Sequence, residues 1–150
     1  MLVYIITVYL HFIGVMALMA TLLAEYLALQ PNLNRPLIQR LALLDLCYGI
    51  AAGIVFITGI LRFAYFGKGM PYYLGHPLFY VKVGLFLLIA LISTYPTVRF
   101  LSWRRTFNQN PCFEIEMNSI NQLRHLICLE IGLLITIPFF AVLIARGIGV

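Results

Sequence analysis

Charge is what this chain has least of. Asp and Glu together number five and Lys and Arg ten among 150 residues, so charged residues make up only 10%. A set that sparse cannot cover the surface of a soluble globule. With 63% hydrophobic residues and a mean hydropathy of +0.98, the chain carries more apolar surface than one soluble core of this size can hide. The scarcity excludes other classes too. No basic face with interleaved aromatics is present, which removes nucleic acid as a partner. Cysteine is limited to Cys47, Cys112 and Cys128 without a CxxC pair, and two of the three lie inside apolar runs, so they read as packing thiols. Walker loops, dinucleotide fingerprints, zinc spacings and Ser/His/Asp sets are all missing.

What is present is length of apolar sequence. Four runs, about 3–26, 40–66, 78–99 and 119–144, are each long enough to cross a bilayer core of ~30 Å as a helix. The expected fold is all-α, a single transmembrane domain over 1–150 built as an integral membrane four-helix bundle, with the lipid bilayer as its first partner. The first run lacks a positive leader and exceeds the usual signal-peptide core of about 7 to 15 residues, so it reads as a retained helix. Pro31, Asn32, Asn34 and Pro36 mark a first loop at 30–39, Gly67 to Pro77 a second, and Phe100 to Asn118 the longest. Gly49, Gly53 and Gly59 stand at spacings that suit close helix packing. Pro96 is expected at or near the end of its helix, and Pro138 as a kink within the fourth. Trp103, Arg104 and Arg105 suit an interfacial anchor. Arg35, Arg40, Arg99, Arg104, Arg105 and Arg124 lie toward one face of the membrane, against Arg62, Lys68, Lys82 and Arg146 toward the other. That bias predicts both termini on the non-cytoplasmic side.

The first run is organised around a stripe. Thr7, His11, Gly14, Thr21 and Glu25 recur at helical spacing and share one face, which must point at other helices and not at lipid. The alternation of spans places His11, Arg62, Lys82 and Arg146 in the half of the bundle that carries the termini. Glu25, Asp45, Arg40, Arg99 and His125 fall in the other half, and Glu130 lies near the middle. A charged group at such depth costs a contested ~2.5 to 3.5 kcal/mol or more, so these side chains should face the bundle and pair.

Two readings of His11 follow from spacing. It is either a buried histidine bonded to a neighbouring helix or the metal ligand of a haem b, with Arg62, Lys82 or Arg146 receiving the propionates. On the second reading a neutral Lys82 amine is the best-placed further ligand, ahead of Met16 and Met19. Copper held by His11, Met16 and Met19 is disfavoured because the three do not share a helix face. Glu130, with Asp45 and Glu25, is either a proton relay or a set of carboxylates paired with Arg40, Arg99 and Arg124.

Several longer motifs carry a resemblance. LDLCYGIAAGIVFITGILRF, YFGKGMPYYL and KVGLFLLIALISTYPTVRFLSWRR, with HFIG in the first span and IARG near the end, resemble a family of small bacterial four-helix inner-membrane proteins of unknown function. That likeness implies a multi-pass protein of the bacterial inner membrane. A more distant similarity, carried only by His11 and Lys82, is to the HemJ-type protoporphyrinogen oxidases and the CopD-type membrane proteins. It implies a haem b site at those two residues, with Lys82 as a candidate catalytic group. Taken with the relay reading, which makes Glu130 the second candidate catalytic group, the expected work is electron transfer or oxidation of a lipophilic substrate, porphyrinogen-like or quinone-like. The alternative is a cofactor-free protein, either a small transporter or an assembly partner whose polar stripe closes a homo-oligomer.

Overall fold

The computed structural model describes residues 1–66, 70–110 and 113–147; Lys68 and Cys112 lie outside them. The chain is all-helical in its framework: α1 (Leu2–Ala28), α2 (Arg35–Leu61) continued by a π-helical turn (Arg62–Phe66), a short α3 (Met70–Leu74), α4 (Pro77–Gln109) and α5 (Met117–Ala145). Four of these, with the π turn extending α2, are long and apolar enough to span a membrane. Packing follows chain order around a ring. α1 lies against α2 and α5, and α4 lies against α5 and α2. Among the described residues the diagonal pairs make no close backbone approach, so side chains from all four helices meet in the centre of the ring.

Neighbours run antiparallel in regular register. Gly14 faces Val55 across α1 and α2, while Asp45 faces Thr97 and Phe56 faces Phe86 across α2 and α4. The start of α1 and the end of α5 therefore lie at one end of the bundle, and the 29–34 connection and residues 113–116 at the other. A buried cluster including Leu18, Leu22, Leu41, Ala51, Val55, Ile89, Phe100, Trp103, Leu123, Ile127 and Leu134 fills the loop half and the middle. Nearer the termini than Gly14, Val55, Ile89 and Leu134, the buried residues among those described are only Thr7, Thr58, His76 and Ile144. The termini half has almost no packed core.

Three features depart from the sequence reading. α2 begins at Arg35, not Arg40, because Asn34 acts as an N-cap, its side chain accepting from the Leu37 N–H at 3.0 Å, with Pro36 in the first turn where a missing N–H costs nothing. α4 does not stop near Arg99 but runs through Pro96 to Gln109. Its 33 residues measure about 50 Å, longer than the hydrocarbon core, so its last turns reach the interface. The extension is held by a buried stripe of Phe100, Trp103 and Phe107, the last meeting Phe113 edge-on at 5.8 Å, and by Arg35 donating to Asn108 at 3.1 Å. Trp103 thus faces the core, leaving only Arg104 and Arg105 outward. Of the three expected packing glycines only Gly59 faces α1, a Cβ there standing 3.8 Å from His11 Cε1. A Cβ at Gly49 or Gly53 would meet nothing within 4 Å, and one at Gly14 would come 2.7 Å from Val55 Cγ2. Gly14 is what lets α1 and α2 approach closely.

Candidate functional site

The stripe on α1 faces inward as its periodicity requires: Thr7, Gly14 and Glu25 are buried, and His11 and Thr21 are half-buried. Thr7 and Thr21 bond back to carbonyls of their own helix and need no outside partner. His11 does reach across. Its Nδ1 is 2.9 Å from Thr58 Oγ1 on α2. The direction of that bond depends on the tautomer of the ring. Thr58 has one hydroxyl hydrogen, with the Ile54 carbonyl at 2.6 Å and the Val55 carbonyl at 3.2 Å also in reach of it. Where that hydrogen goes to Ile54, the Nδ1–H of His11 is the donor and Nε2 keeps its lone pair. The Val55 carbonyl is also within reach of the ring. An imidazole held through Nδ1 in that tautomer has the form that ligates a metal.

Cations stand next to it. Arg62 and Lys82 are both close enough to act electrostatically on His11, and Arg62 acts on Lys82 as well. The registers place Gly84 level with Thr58, so Lys82 lies within about half a helical turn of the depth of His11. Arg62 opens the π-helical turn, a local widening that helices often carry at functional positions, and its guanidinium lies 5.9 Å from the Phe12 ring centre. Arg146 does not join this group; it lies exposed just past the end of α5. An aromatic group roofs the region: Phe63 stacks on Phe79 at 5.1 Å and meets Tyr73 at 6.0 Å, while Tyr72 donates to the Ile144 carbonyl at 2.8 Å and ties α3 to α5. Beneath the roof His76 is 1% exposed, with neither ring nitrogen hydrogen-bonded and its ring 5.2 Å from Tyr72.

A second polar group occupies the middle and the loop half. Glu25 from α1, Asp45 from α2 and Glu130 from α5 are 2%, 9% and 1% exposed, and they sense one another's charge. Asp45 accepts the Thr97 hydroxyl at 2.7 Å, whereas Glu25 and Glu130 each keep a buried Oε1 without a partner. The arginines expected to pair with them go elsewhere. Arg99 donates to the Tyr95 hydroxyl at 3.0 and 3.1 Å, and Arg124 lies over the Tyr26 ring at 4.9 Å. Arg40 and His125 are exposed. Among the described residues no arginine pairs with these carboxylates; Arg99 and Arg124 are engaged by tyrosines instead.

Among the described residues no three His, Cys, Asp or Glu side chains gather as a metal site, and Met16 is exposed on the face of α1 away from His11. Sequence reasoning missed Thr58, Tyr48 and Thr97, which lie between apolar neighbours and announce themselves only through contacts across helices. His76 was read as a loop residue, and its burial depends on α3 folding over it.

The sequence model of a family described as "Predicted membrane protein (DUF2214)" matches residues 3–149. No curated protein and no solved structure matches the chain. The comparisons do not show the likeness to the HemJ and CopD types.

Proposed function

The chain belongs to the predicted membrane protein family DUF2214, and on that premise we propose that it is a haem b protein of the bacterial inner membrane, with both termini outside the cytoplasm. Its work would be electron transfer or the oxidation of a lipophilic substrate, porphyrinogen-like or quinone-like. The observation that carries the reading is His11, oriented across the bundle by its Nδ1 bond to Thr58 in the half that has few buried residues. Such an imidazole would serve as a ligand to the iron through its other nitrogen. Phe63 and Phe79 would offer aromatic surface, and Arg62 and Lys82 would hold the propionates. Where Lys82 instead gives its amine as second ligand, Arg62 is left for the carboxylates.

When bound, haem b would supply one-electron redox chemistry. The chain's own residues do the rest. Thr58 holds the ring of His11 through Nδ1. Arg62 and Lys82 would hold anionic groups at the termini end. Glu130, with an unpartnered oxygen in the bundle centre, would pass a proton among itself, Asp45 and Glu25. The cofactor-free transporter reading has one observation in its favour, this same trio of buried carboxyls, but gives the bond that orients His11 no task.

The experiment is an absorption spectrum of the detergent-purified protein, oxidised and dithionite-reduced, beside those of His11→Ala and Lys82→Ala. A Soret and α band lost in His11→Ala is the expected result. A well-folded wild type that stays colourless when produced with added haem would refute the reading.

A further inference from the structure

A cavity of about 380 Å³ lies between α2 and α4 at the level of the acidic group. Its walls are apolar, with Leu18, Phe86 and Ile89 among them, and its polar lining is Asp45, Tyr48, Ser93 and Thr97. Gly49, Ile50 and Ala90 also line it and are exposed, so it is open on the lipid-facing side between the two helices. A concave apolar site of this size with a few convergent polar groups is the usual form of a small-molecule site. Its entrance from the bilayer selects for a ligand dissolved in lipid.

The hydrogen bonding narrows the class. Ser93 donates to the Ala90 carbonyl at 2.9 Å, and the single hydrogen of Thr97 goes to Asp45 at 2.7 Å or to the Ser93 carbonyl at 3.0 Å. Those donors are committed. Asp45 takes only the Thr97 bond, so one of its oxygens remains to accept, while the Tyr48 hydroxyl is engaged by Ser93. A ligand that presents a hydroxyl to Asp45 gives that oxygen a partner. The volume takes a single substituted ring with the start of a tail, and is small for a tetrapyrrole.

We infer that this cavity binds the head of a lipid-soluble hydroquinone, its phenolic hydroxyl donating to Asp45 and its tail leaving between α2 and α4 into the bilayer. The site names the substrate class for the function proposed above and rests on it to that extent; binding itself needs no haem.

The test is equilibrium binding of decylubiquinol to the protein in phosphatidylcholine nanodiscs under anaerobic conditions, with empty nanodiscs subtracted, and the Soret band recorded on each sample. Gly49→Leu brings a branched side chain to the cavity wall from a position where an added Cβ meets nothing within 4 Å. Asp45→Asn keeps the shape and exchanges one carboxyl oxygen for an amide NH2. The expected result is saturable binding by the wild type, weakened at least tenfold by Gly49→Leu and severalfold by Asp45→Asn, with an unchanged absorption spectrum in Gly49→Leu. The dimethyl ether of the same hydroquinone, which has no hydroxyl to donate, is expected to bind at least tenfold more weakly. Absence of saturable binding, equal binding by Gly49→Leu, or equal binding of the dimethyl ether would overturn the inference. Saturable binding to a colourless protein would refute the haem reading and leave this site standing.

Discussion

Replacing Gly14 by alanine puts one methyl group at the tightest approach between α1 and α2. The added Cβ would stand 2.7 Å from Val55 Cγ2, against an optimum of about 3.5 to 4.0 Å for two carbons, so the helices must separate by close to 1 Å or Val55 must leave its position. Overpacking of this kind costs about 1 to 3 kcal/mol. At about 2 to 4 °C per kcal/mol for a chain of this size, thermal unfolding in detergent, followed by circular dichroism, should fall by roughly 2 to 12 °C. Val55→Ala removes the clashing methyl, after which the nearest neighbours of the new Cβ are Ile54 Cγ2 at 3.4 Å and the Ala51 carbonyl at 3.6 Å. The double variant should therefore be more stable than the sum of the singles predicts, by about 0.5 to 3 kcal/mol of coupling. Since His11 meets Thr58 one turn away, the single variant should also disturb any spectral signal that depends on His11. An unchanged midpoint for Gly14→Ala, with additive behaviour beside Val55→Ala, would refute the close approach and with it the register of α1 on α2.

Thr58→Val keeps the shape of the side chain and removes the hydroxyl that bonds His11 Nδ1, so haem affinity, measured by haem transfer to apomyoglobin, should fall about 10- to 100-fold. Trp103→Ala should lower stability by about 3 to 5 kcal/mol, because Trp103 is buried in the core; an interfacial anchor would lose far less. Glu130→Gln exchanges a buried carboxyl that has no arginine partner for an amide of the same shape, so denaturation in detergent should show stability unchanged or raised, whereas loss of a paired carboxylate would cost about 3 to 5 kcal/mol.

The spans were legible because lipid leaves a chain few choices: an apolar run of sufficient length must satisfy its backbone internally, and helices do that. The inward face of α1 was legible for a related reason, since Thr7, His11, Gly14, Thr21 and Glu25 could not all face lipid. The ends of α2 and α4 were harder. Asn34 and Pro36 look like loop residues and work as a cap and a first-turn proline, and Pro96 looks like a terminator although tertiary contacts carry α4 past it. The fate of the arginines could not be read either, because their tyrosine partners follow from rotamers and helix rotation and not from spacing. The same holds for Thr58. A threonine among apolar residues is unremarkable until the antiparallel register sets it opposite His11.

The central claim is that His11 is an axial ligand of haem b. Its most direct test is chemical rescue: haem content per protein chain by pyridine haemochrome for the wild type, for His11→Gly, and for His11→Gly grown and purified with imidazole. The account predicts close to one haem per chain in the wild type, little in His11→Gly, and substantial recovery with imidazole, which fills the vacated space and restores the nitrogen. Haem content that is the same in the wild type and in His11→Gly, or absent from a folded wild type supplied with haem, would contradict it.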